Sequence, residues 1–138
     1  MNLSFDYKAI PVIPAGILTN SYVAGLVLGT EATGSSNIQD NDNALGLLVS
    51  FTKGSLTNAE IIIEFSPDNS TWYQETVDDV DVSTGNITQY PATHIFTASG
   101  NYRINPITLK DRYVRISAKG TGTVTGSSIA VTAILGSI

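Results

Sequence analysis

Side chains that alternate between apolar and polar at every second residue restrict the fold of this sequence more than any other feature. Leu45, Leu47, Val49 and Phe51 fall on one side of a strand, with Gly46, Leu48, Ser50 and Thr52 on the other. Ile61, Ile63 and Phe65 alternate with Glu60 and Glu64, and Val114, Ile116 and Ala118 alternate with Tyr113, Arg115, Ser117 and Lys119. A period of two puts neighbouring side chains on opposite faces of an extended chain, so one face can be buried while the other stays wet. Nowhere does a 3.6-residue period with capping residues persist. About eight short strands separated by turn residues predict an all-β, two-sheet antiparallel β-sandwich. A length of 138 residues suits one domain.

The final strand, from Ser128 to Leu135, is apolar on both faces, which predicts a central position or cover from another subunit. Ser66-Pro67-Asp68-Asn69-Ser70 is a turn with a mechanism. Pro presets φ, while Asp and Asn bond their own backbone and tolerate left-handed angles. Residues 59–76 therefore read as a β-hairpin. Tyr22 to Leu28 reads as the first strand of the sandwich, residues 29–43 as a long polar loop, and residues 77–92 as an acidic polar connection. Gly120 to Gly126 reads as a flexible hairpin tip.

Residues 1–20 are set apart as an extended N-terminal arm, with the sandwich at 21–138. Pro11 and Pro14 interrupt an apolar run and withhold amide donors, which suits an arm or an edge segment. Its apolar side chains, Ile10, Val12, Ile13, Ile17 and Leu18, need a surface to cover, on this domain or on a partner. If that surface belongs to a partner, removing residues 1–20 should leave a folded sandwich that has lost its binding.

Several kinds of chemistry are removed by composition. With no Cys there is no disulfide, thiolate nucleophile or zinc–thiolate site. The chain does not open with a basic segment followed by an apolar run, so no secretory signal is predicted. No apolar run approaches the roughly 20 residues of a membrane helix. Seven Lys and Arg against 12 Asp and Glu, with a pI near 4.5, oppose nucleic-acid binding.

What remains gives little purchase to catalysis. His94 is the lone imidazole and reads as structural; no Ser lies in a nucleophile elbow, and no enzyme is expected. Asp40 and Asp42 alternate along a loop, as hard-cation ligands do, but they lack the Gly and Glu of a calcium loop. Asp78, Asp79 and Asp81 form a second acidic cluster. Both clusters read as solvated turns, and no metal or cofactor is expected. Gly120-x-Gly122 precedes a strand, not a helix, so it is no phosphate cradle. Trp72, Tyr73 and Tyr90 are candidates for a sugar-stacking platform, set against their ordinary use as half-buried strand residues.

The run from Ile61 to Tyr73, with its Ser-Pro-Asp-Asn turn followed by Trp72, resembles a hairpin found in many β-sandwich modules. Together with Tyr113 to Ala118, a Gly/Thr tip and Ser128 to Leu135, it is similar to small structural proteins of tailed bacteriophages, especially head-decoration or accessory virion proteins. The similarity spans roughly residues 44–138. Discoidin-like and carbohydrate-binding modules share the hairpin itself, and Asn69 stands where it often carries Gly. The resemblance implies a jelly-roll-like sandwich, no catalytic residues, and a virion component assembled in the host cytoplasm. Its expected partner is the major capsid protein or another virion protein. A homo-oligomer is expected, a trimer before a dimer. The alternative is a carbohydrate-binding module or a tail accessory protein that binds a receptor.

Overall fold

The computed structural model describes residues 7–16, 18–29, 38 and 42–137. Twelve strands are present among them: β1 (Tyr7–Gly16), β2 (Val23–Ala24), β3 (Leu28–Gly29), β4 (Ala44–Thr52), β5 (Leu56–Ser66), β6 (Tyr73–Gln74), β7 (Thr76–Val80), β8 (Ile87–Pro91), β9 (His94–Phe96), β10 (Gly100–Thr108), β11 (Tyr113–Gly122) and β12 (Ser128–Gly136).

Ten of these strands occupy eight lanes in two antiparallel sheets, and β7 and β8 pair as a separate two-stranded sheet. The first sheet runs β1-β12-β4-β10. In the second, β2 and β3 share one edge of β11, β5 follows, and β6 and β9 share the far edge of β5. Numbered along the chain, the lanes run 1-8-3-6 in one sheet and 2-7-4-5 in the other. Most successive lanes therefore lie in opposite sheets, which is the winding of a jelly roll. The corner between β4 and β5 shows how the chain changes sheet. Gly54 turns there with φ of 56°, Ser55 donates its amide to the Thr125 carbonyl at 3.0 Å, and Ser127 Oγ donates to the Lys53 carbonyl at 2.6 Å.

Cross-strand rows show how the alternation builds the core. Ile10, Ala133, Leu47 and Ile104 lie side by side across the first sheet and are all buried. Leu28, Val114 and Phe65 form a matching buried row in the second sheet. The sheets meet through these inward rows, and the hydrophobic burial they share holds the sandwich together. β12 is central, between β1 and β4, as its two-sided apolarity predicts.

The segment 59–76 closes as the expected hairpin, with Phe65 opposite Tyr73 and Glu64 opposite Gln74. Asp68 Oδ1 accepts the amides of Ser70 and Thr71 at 2.9 and 2.8 Å, and Asn69 takes a left-handed φ of 59° in the position where Gly is common.

Four expectations need correction. The division at residue 20 does not separate residues 7–16 from the sandwich: of the arm and edge-segment readings the second holds, and they pair with β12 as an edge lane. An edge lane has one side without a ladder partner, so Pro11 and Pro14 are tolerated there. The stretch from Tyr22 to Leu28 is one lane broken into β2 and β3. At the break, Gly25 donates to the Ile116 carbonyl of its own sheet, and Leu26 donates to the Val12 carbonyl of the other, each at 2.8 Å. A Cβ on Gly25 would press into the Val12 carbonyl oxygen, so the two backbones approach this closely only because residue 25 is Gly. Residues 77–92 are not an irregular connection; β7 and β8 form a hairpin inserted in the lane shared by β6 and β9. Gly120 belongs to β11, opposite Ala59, with its amide on the Thr19 carbonyl at 2.7 Å.

Candidate interaction surfaces

The outer faces of the two sheets differ sharply in charge. On the second sheet, Arg115 Nε donates to Glu64 Oε1 at 3.0 Å, and its guanidinium lies 4.3 Å from the centre of the Trp72 ring. Ser117 Oγ donates to the same Glu64 oxygen at 3.4 Å. Further along, Lys119 Nζ is 3.5 Å from Glu60 Oε2 and 4.8 Å from the centre of the Tyr22 ring. Tyr22 donates its hydroxyl to Glu60 Oε2 at 2.9 Å. Burial, and then the hydrogen bond to this carboxylate, push the Tyr22 phenol up to about 12. Lys110 pairs with Glu75 at 3.0 Å. The cations and carboxylates of this face are thus engaged with one another.

Of the candidate glycan residues, Trp72 directly precedes β6 and Tyr73 lies in β6 opposite Phe65. The Trp72 face is covered by Arg115, and Tyr90 stands on β8, opposite Val77.

His94 pairs with Ile61 across β5 and is half-buried beside Phe96. Burial lowers its pKa below the usual imidazole value, with Glu75 acting weakly the other way. No group of three His, Cys, Asp or Glu residues gathers among the described residues. Asp40 lies outside them, and Asp42 forms an ion pair with Lys8 at 3.6 Å. Asp78 and Asp79 point to opposite sides of β7, while Asp81 accepts hydrogen bonds from Ser83 in the turn that follows.

The arm residues are placed by the core. Ile10, Val12 and Leu18 are buried within the chain's own sandwich, at 2%, 1% and 4% exposure, and cannot serve a partner directly. Ile17 lies outside the described residues. Ile13 and Leu18 do line an apolar cleft of about 150 Å³, together with Val23, Gly25, Ala118 and Ile129, where the edges of the two sheets meet. Beside it Tyr22, Val23 and Leu26 stand exposed.

A second exposed apolar group was missed by sequence reasoning. Val77, Val80, Val82, Ile87 and Tyr90 of the β7–β8 hairpin make up half of the large apolar side chains that stand exposed among the described residues. The residues carry no one-sided alternation, because both faces of the ribbon meet solvent. The usable signal was Gly85-Asn86 following an acidic run and preceding Ile87-Thr88-Gln89-Tyr90.

No family model matches the chain, and no curated protein matches its sequence. Its architecture does have counterparts among solved structures. The PBSX exported protein XepA matches 95% of this chain with a TM-score of 0.63 at 11% identity. The chain spans 37% of that protein's length. The SPBc2 prophage-derived protein YomS matches 99% of this chain over 98% of its own, with a TM-score of 0.51 at 13% identity. At these identities the likeness is one of fold.

Proposed function

We propose that this chain is a non-enzymatic structural module of a bacteriophage particle that acts by binding other virion proteins as a homo-oligomer. The capsid lattice is the first partner to test. The observation that carries this is the apolar surface where the β1 and β2 edges meet. There a cleft lined by Ile13, Leu18 and Val23 adjoins the exposed side chains of Tyr22 and Leu26. Apolar surface gathered at strand edges fits protein association better than small-molecule chemistry. The phage-derived names of both structural neighbours favour this setting. The engaged charges of the second sheet and the Arg115 guanidinium over the Trp72 ring favour this reading over the glycan alternative.

The test is co-sedimentation of the full chain with phage particles lacking it, together with mass spectrometry of particles that contain it. The chain should pellet with particles, and Val23→Asp should abolish pelleting while leaving the β-sheet circular dichroism intact. Absence of the chain from purified particles would overturn the proposal.

A further inference from the structure

The β7–β8 hairpin is a two-stranded ribbon that pairs with no other strand among the described residues. Ribbons of this kind are marginal in water unless something covers them. Val77 faces Tyr90 on one side and Val80 faces Ile87 on the other, so each face carries an apolar pair. Asp78 accompanies the second pair and Asp79 the first. Neither carboxylate has an ion-pair partner among the described residues, and the sequence from 54 to 102 contains no Lys or Arg at all.

One other surface of the molecule complements this. None of the four strands of the first sheet contains Asp or Glu. Pro11, Thr132, Leu48 and Arg103 lie in one row across its outer face, flanked by Ile134 and Ala130 on β12. A shallow depression of about 400 Å³ lies there, with Leu48, Arg103, Ala130 and Thr132 in its walls. Arg103 is exposed and makes no ion pair among the described residues. The second sheet offers no such match, since Glu60, Glu64 and Glu75 line it and hold its cations.

We infer that the β7–β8 hairpin of one copy packs its Val80–Ile87 face on the outer face of the β1-β12-β4-β10 sheet of a second copy, with Asp78 meeting Arg103. Two copies of a chain with net charge −5 repel each other on average. They associate only where charge is segregated, and here an acid-only ribbon meets a sheet whose strands hold no Asp or Glu. The two patches differ, so the contact is head-to-tail, and repeating it closes a ring when the rotation permits. The inference rests on the proposed assembly role for its expectation of several copies, and it adds the interface.

The absence of Cys makes a direct test available. Val80→Cys and Thr132→Cys, made in separate full-length chains and mixed under mild oxidation, should form a disulfide-linked dimer far faster than either alone. Sedimentation velocity supplies the second measurement. The wild-type chain should associate, Asp78→Lys/Asp79→Lys and Arg103→Glu should each weaken association by about tenfold or more, and the two combined in one chain should restore it. Unchanged melting temperatures would show that the variants stay folded. A monomeric wild-type chain, association indifferent to these substitutions, or no recovery in the combined variant overturns the interface. Particle co-sedimentation that survives such a result leaves the proposed binding to other virion proteins standing and removes only the association between copies.

Discussion

Arg115 caps the Trp72 ring at 4.3 Å while its Nε donates to Glu64 at 3.0 Å, so one guanidinium joins an aromatic face to a carboxylate across three neighbouring lanes. The planar group can do both at once because its donors lie in its edge and its π-facing surface is free. A double-mutant cycle of Trp72→Ala and Arg115→Ala, read by urea unfolding, should give a coupling of about 0.5–1 kcal/mol. A glycan array should show no binding that Trp72→Ala selectively removes.

Ile10 decides between an arm and a strand. Its side chain is 2% exposed and sits beside Ala133 in the core row. Ile10→Ala should destabilise the folded chain by about 2–5 kcal/mol, as measured by chemical denaturation. Removing residues 1–20 should likewise uncover β12 and unfold or aggregate the protein, the reverse of what a detachable arm would do.

His94 makes stability pH-dependent on the acid side of neutrality. Its folded-state pKa lies below the ordinary 6.5 because burial disfavours the imidazolium. The unfolded chain therefore binds the proton more readily. The stabilisation is complete above 6.5 and is lost as pH falls through the depressed value. Melting temperatures should drop as pH goes below 6.5, and His94→Gln should flatten that part of the profile.

Tyr22 acts at the alkaline end with the opposite sign. Its phenol is raised from 10.0 to about 12, so the neutral form is favoured in the folded state. The associated stability is complete below 10 and disappears as pH rises through 12. Ultraviolet titration of phenolate absorbance should show a step near 12 that is missing in Tyr22→Phe.

Wherever one strand face met the core and the other met water, the architecture was legible in the residues. Leu45, Leu47, Val49 and Phe51 point inward as their spacing predicts, and so do Ile61, Ile63 and Phe65. The turn at Asp68 was readable because its hydrogen bonds are local. Legibility failed at the β7–β8 hairpin, whose two wet faces leave no periodic trace. It failed again at Ile10 and Val12, because prolines that resist a helix or a central strand are compatible with both a free arm and an edge lane.

The sequence by itself determined the all-β character, the inward rows and the Asp68 turn, since each follows from side-chain period or from bonds within a few residues. Only the tertiary structure decided that Arg115 covers Trp72, that Gly25 lets two sheet edges touch, and that carboxylates pair with cations on the second sheet while the strands of the first sheet carry no carboxylate. Those outcomes depend on which lanes become neighbours, and jelly-roll winding sets residues side by side that lie far apart along the chain.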